Sequence, residues 1–211
     1  MPQIHRHFAL VSATALLATL LAAACGSEDS ARMGPMGPSA MAGRPDANGG
    51  MGDMGMGMGM EVRNEFDYLT RMIPHHDEAI VAARTLQSGT RRQETRAFAA
   101  SIIETQTAEV RQMHAWLAAW YPGRDTRVTY TPMMRNLTRL TGAALDRAFL
   151  EDMIPHHMMA VMMSQRFLTA NLADHREAVP FAGRIRDTQS SEIRMMTGWL
   201  RDWFGVTPGG E

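Results

Sequence analysis

From Glu61 onward the apolar residues of this chain recur every three to four positions, the spacing that puts them on one face of an α-helix. Leu69, Met72, Ile73, Ile80 and Ala83 make such a stripe between Glu61 and about Leu86, and Ser88-Gly89-Thr90 is a stop signal. Phe98, Ile102, Met113, Trp116 and Trp120 make a second stripe from about Arg91 to Trp120, ended by Pro122-Gly123. Arg124 to Thr141 reads as a crossover, with a short helix predicted at Met133 to Leu140. A third helix is predicted from Ala143 to about Ala170, and a fourth from Glu177 or Pro180 to Phe204. No stretch alternates with period two for long enough to make a strand. The pattern predicts an all-α antiparallel four-helix bundle.

The stripes come in two matching pairs. Met72-Ile73-Pro74-His75-His76 returns 81 residues later as Met153-Ile154-Pro155-His156-His157. Further on, the segment from Thr105 to Met113 returns 83 residues later between Thr188 and Met196, and Trp116 and Trp120 return as Trp199 and Trp203. The bundle domain, 61–206, is therefore expected to be two repeated helical hairpins, 61–122 and 143–206. Pro74 and Pro155 lie inside the helical patterns and free the carbonyls of Thr70 and Glu151, so a kink or a fresh helix start is expected at each.

Polar residues interrupt the apolar faces at equivalent places in both halves. At 100° per residue, Leu69, Met72, Ile80 and Ala83 all fall within about 40° of His76, which puts that imidazole at the centre of its stripe. His75 lies about 100° round, on the flank, and His157 and His156 repeat the arrangement. Gln106 and Glu109 share the second stripe with Ile102 and Met113, as Gln189 and Glu192 do with Ile185 and Met196. Burying such groups without partners costs several kcal/mol apiece, roughly, and more for an ionised carboxylate. They must pair with one another, hold water or bind something. Two readings stay open: a Glu–His network within each hairpin that fixes register, and a metal site. The symmetry of the pairs favours the metal, with Met72 and Met153, one turn before His76 and His157, able to reach the same spot. His114 and His175 read as ordinary surface histidines, and the four tryptophans as plugs at the bundle ends.

Composition adds an address. His5-Arg6-His7 followed by the apolar run Phe8 to Ala24 reads as an export signal, too short and alanine-rich for a stable span. Leu21-Ala22-Ala23-Ala24-Cys25 resembles a bacterial lipoprotein cleavage site, so 1–25 is expected to be a signal peptide whose Cys25 becomes a lipid anchor, in preference to ordinary signal cleavage after an Ala-x-Ala site. The protein is then a membrane-anchored lipoprotein on the extracytoplasmic face. Cys25 is the sole cysteine, which leaves the folded part neither a disulfide nor a thiolate ligand. Residues 26–60 are a flexible Met/Gly-rich tether, ending in Met54-Gly55-Met56-Gly57-Met58-Gly59-Met60; these thioethers are either linker drift or loose ligands for Cu(I) or Ag(I). Methionine is the outlier, with 20 copies. The net charge is −1 and all 21 basic residues are arginines spread along the chain, which argues against nucleic acid as a partner.

Met-Ile-Pro-His-His followed by Ala-Ile or Ala-Val, with Gln-x-x-Glu-Val/Ile and a closing Trp-Leu, resembles the domain of unknown function 305 family across Glu61 to Phe204. The resemblance implies a secreted, ferritin-like four-helix bundle and, from some members, binding of Cu(I), Cu(II) or Ag(I) through His and Met. Carried onto matching positions, the metal ligands are Met72, His75, His76, Met153, His156 and His157. Gln106, Glu109, Gln189 and Glu192 stand behind them as supports or further ligands. No helix here carries the Glu-x-x-His of di-iron bundles, so nitrogen and sulfur outweigh oxygen and copper or silver outranks iron. The favoured function is sequestration or relay of that metal. The alternatives are a metal-dependent redox enzyme using Glu109 and Glu192 as proton acceptors, and a metal-free structural lipoprotein.

Overall fold

The computed structural model describes residues 62–206. The export segment, Cys25 and the Met/Gly tether lie outside the described residues. Four helices make up the fold: α1 (Glu65–Gly89), α2 (Gln93–Trp120), α3 (Gly142–Thr169) and α4 (Ala178–Phe204). Among the described residues there is no strand.

Local chemistry sets the helix ends. Asn64, not Glu61, caps α1, its side chain accepting from the Asp67 N–H at 2.8 Å, and Glu65 and Asp67 add negative charge to the first turn. At the other end Thr90 N–H still reaches Leu86 O at 2.9 Å, so the predicted stop signal closes the last turn of α1. Gly205, at φ +66°, closes α4 in the left-handed region, and Val206 N–H turns back to Leu200 O. Pro74 and Pro155 lie inside α1 and α3, so neither proline starts a new helix.

α1 packs on α2, α3 packs on α4, and the two hairpins meet along α1 and α3. The core is divided in two. One apolar cluster joins the end of α1 (Ala79 to Leu86) to the starts of α2 and α3 (Phe98, Phe149, Met153) and the end of α4 (Met196, Leu200). The other joins the start of α1 (Leu69, Met72) to the ends of α2 and α3 (Met113, Phe167) and the start of α4 (Phe181, Ile185). α1 and α4 therefore run one way and α2 and α3 the other. One long crossover carries the chain back between α2 and α3, the ferritin-like arrangement. The repeat becomes a pseudo-twofold axis across the bundle that exchanges its two ends.

Residues 121–141 form the crossover and contain no helix, against the expectation for Met133 to Leu140. Its main-chain donors go to acids on the bundle instead of to carbonyls four residues back. Met133 and Met134 N–H donate to Glu78, and Arg135 N–H to Asp152 at 2.9 Å. Asn136 then turns the chain by accepting from Thr138 N–H, and Leu137 plugs the first cluster.

Equivalent latches hold the two ends. Glu65, wholly buried, accepts from Asp174 N–H and His175 N–H, from His175 Nδ1 at 2.6 Å and from Tyr121 Oη at 2.9 Å. His175 also stacks on Trp120 at 4.0 Å, so it is a structural histidine and not the surface residue expected. At the other end buried Asp146 accepts from Thr95 Oγ1, while Arg92 lies 3.6 Å from it and over Trp203. The tryptophans do close the ends, each through a partner in a hairpin loop.

Because the apolar clusters carry the packing, truncating Phe149 should cost about 3–5 kcal/mol in urea unfolding. Val81→Ala, at a position 63% exposed, should change stability by less than about 0.5 kcal/mol. Similar losses from both would contradict the core assignment.

Candidate metal centre

Between the two clusters lies a layer made of the interrupting polar residues. All four histidines are buried: His75 is 1% exposed and His76, His156 and His157 are 0%. His75 was expected on the flank, yet it faces α3, because α1 and α3 pack closely enough to stack His75 on His156 with ring centroids 3.7 Å apart. That stack lies on the pseudo-twofold axis. His76 and His157 turn away from it, towards α2 and α4.

Three of the four rings use one nitrogen each in a hydrogen bond. His76 Nε2 donates to Glu109 Oε2 at 2.8 Å, and His157 Nε2 to Glu192 Oε2 at the same distance. His75 Nε2 donates to the carbonyl of His156 at 3.0 Å. His156 Nε2 lies 3.3 Å from Glu78 Oε2, a contact of the right chemistry but poor hydrogen-bond alignment. With the proton on Nε2 in His75, His76 and His157, Nδ1 of each carries a lone pair. All four Nδ1 atoms are buried without a hydrogen-bond partner. The Oε1 atoms of Gln106 and Gln189, each residue 3% exposed, are likewise unpartnered. A buried acceptor without a donor costs about 1–3 kcal/mol, so the layer is a concentrated source of instability unless something satisfies it.

This donor set suits a soft or borderline cation. An imidazole whose Nε2–H is held by a carboxylate presents Nδ1 as a firm, oriented ligand, the carboxylate–histidine–metal arrangement. Met72 and Met153 are wholly buried, one in each apolar cluster, so they flank the layer from opposite sides and do not meet at one spot. Among the described residues no three His, Cys, Asp or Glu side chains converge as a ready-made metal cage. An ion held here must accept few ligands or draw the rings together.

Glu78 escaped the sequence reading. It receives Tyr130 Oη and the N–H groups of Met133 and Met134, and it faces His156. Burial would raise its carboxyl, but these contacts outweigh burial and hold it at about 2. Its repeat counterpart is Met159, so symmetry drew no attention to it; the His75-x-x-Glu78 spacing, one turn on one face, was the available signal. His75 is pushed well below its ordinary value by burial and then by the three other imidazoles. Burial lowers His156 too, opposed by Glu78.

On the face opposite the crossover, α2 and α4 leave a narrow cleft of about 10 Å³, lined by Gln106, Glu109, Gln189 and Glu192 among others. Every lining residue has its repeat equivalent across the cleft.

The sequence profile of the family described as Domain of unknown function (DUF305) matches this chain twice, over residues 65–130 and 122–200. No curated protein matches it by sequence. Among solved structures, CopM in its Cu(I)-bound form is similar at 30% identity and a TM-score of 0.60, over 66% of this chain and 97% of CopM. CopM has also been solved in Ag-bound and Cu(II)-bound forms. A DUF305 fragment from Deinococcus radiodurans is similar at 30% identity and a TM-score of 0.57, over 67% of this chain and 97% of the fragment. A DUF305 protein from Streptomyces coelicolor shares the fold at 23% identity and a TM-score of 0.60, over 70% of this chain and 98% of its own.

The lowered values of His75 and His156 make a pH prediction for the metal-free protein. In the unfolded chain both return to about 6.5. Below that pH the unfolded state takes up protons that the folded state refuses. Their contribution to stability is complete above about 6.5 and falls by up to about 1.4 kcal/mol per pH unit for each histidine below it. Glu78 behaves differently: its contribution is intact above the ordinary 4.5 and is lost only as pH falls towards about 2. The urea midpoint should therefore drop between pH 7 and 5, and His75→Gln/His156→Gln should flatten that arm alone. A level profile from pH 7 to 5 in the unsubstituted protein would contradict the buried, neutral rings.

Proposed function

Because the chain belongs to the DUF305 family, and is of CopM type, we propose that it binds copper or silver in the histidine layer, as an exported protein that sequesters or passes on the ion. The carrying observation is the set of four buried Nδ1 atoms without partners. Nδ1 of His76 and His157 are the primary ligands, held in aim by Glu109 and Glu192; His75 and His156 complete the layer, and Met72 and Met153 offer thioethers from either side. Cu(I) and Ag(I) fit this set best, since they accept few ligands and favour nitrogen and thioether sulfur. Among the described residues no three His, Cys, Asp or Glu side chains converge, so the histidine layer itself suits an ion of low coordination number.

Metal binding at the level of the family rests on CopM, whose structures hold Cu(I), Cu(II) and Ag. Export is supported by the amino-terminal pattern. Lipid attachment at Cys25, and capture of Cu(I) by the tether over 26–60, belong to the same proposal. The rival reading, a polar layer that only sets register, draws support from the two His–Glu pairs inside the hairpins. Those pairs satisfy Nε2 and leave Nδ1 unexplained.

Titration of the metal-free protein with Cu(I) against a competing chelator tests the proposal. His76→Ala/His157→Ala should weaken binding by at least about a hundredfold. Glu109→Gln/Glu192→Gln, which removes the aiming groups, should weaken it by about 10–100-fold. Unchanged affinity in the histidine pair would refute the site.

A further inference from the structure

The cleft between α2 and α4 has a chemistry of its own. Six oxygen-bearing side chains line it in three symmetric pairs, Thr105 with Thr188, Gln106 with Gln189 and Glu109 with Glu192. Each glutamate spends Oε2 on an imidazole behind it and keeps Oε1 free for the cleft; its side chain is 15% exposed. Each glutamine is 3% exposed and its Oε1 has no donor. The cleft therefore gathers acceptors from two helices that touch little elsewhere, with room for a guest about the size of one water. Two carboxylates line the same narrow gap with like charge, and the amide oxygens add two negative dipole ends. A cation relieves all four at once.

We propose that this cleft is an oxygen-donor site for a single small divalent cation of the Mg²⁺ or Mn²⁺ class, separate from the nitrogen and thioether layer behind it. The two carboxylates supply charge, and the two buried amide oxygens complete a set of hard donors that waters extend on the open side. The nitrogens of His76 and His157 nearest the cleft are occupied by their glutamates, so a cation there meets oxygen alone. Soft and hard ions are thereby sorted to opposite sides of the same His–Glu pairs. The inference goes beyond the copper reading and stands if that reading fails.

Mn²⁺ is the probe. Titrating metal-free protein with Mn²⁺, and following the loss of the free-ion EPR signal, should show a single class of site together with a rise in melting temperature. Gln106→Leu/Gln189→Leu removes the two unpartnered oxygens and, with no polar atom left stranded, should fold at least as stably as the parent. It should weaken Mn²⁺ binding more than tenfold. Should that variant fail to fold, Gln189→Glu adds a third carboxylate and should tighten Mn²⁺ binding more than tenfold. Absence of Mn²⁺ uptake by the parent, or uptake that neither variant alters, would overturn the proposal and leave a cleft that holds only water. Loss of Cu(I) binding in the histidine variants with Mn²⁺ binding kept, or the reverse, separates the two sites.

Discussion

A sheet of unpaired acceptors crosses the middle of this bundle, and the rest of the structure is arranged around that liability. Four imidazole Nδ1 atoms and two amide oxygens sit where apolar side chains would pack. Their desolvation is opposed by the two apolar clusters on either side. A layer of this kind persists only if something besides stability keeps it, since filling it with leucine would strengthen the fold.

The duplication explains how the layer is built. Two hairpins with the same Pro-His-His and Gln-x-x-Glu spacing, exchanged by a twofold axis, superpose their polar residues at the midplane and their apolar residues at both ends. Strict symmetry would make the two halves equal, and in the layer Glu78 breaks it. Glu78 faces His156, whereas Met159 holds the equivalent position in the other half. Glu78 also anchors the crossover through Tyr130, Met133 and Met134, so the loop that joins the hairpins is tied to the layer itself. The end latches differ in the same spirit, His175 beside Trp120 at one end and Arg92 over Trp203 at the other.

The helices and their pairing were legible in the sequence because period and repeat reinforce each other: Ile80 and Ala83, or Ile102 and Met113, leave one face open to burial. The centring of His76 and His157 followed from the same geometry. What periodicity could not supply was the distance between helices. His75 reads as a flanking residue until α1 and α3 are seen to pack close enough to stack it on His156. Tertiary hydrogen bonds decided the crossover: Met133 to Leu140 has helical character, but carboxylates on α1 and α3 take its N–H groups. His175 has no partner of its own kind in the repeat, and only the fold brings Glu65 to it. Met72 and Met153 were placed beside the histidines by spacing; the pseudo-twofold axis puts them on opposite sides of the layer.

The central claim is that the Nδ1 lone pairs of His76 and His157 are held free for a soft cation. Long-range ¹H–¹⁵N NMR of the imidazoles, recorded without metal and then with diamagnetic Ag(I), reads this directly. The account predicts Nε2–H tautomers in the metal-free protein, with the Nδ1 resonances of both rings moving on Ag(I) addition while Nε2 stays protonated. Rings protonated on Nδ1, or Nδ1 signals that Ag(I) leaves in place, would contradict it.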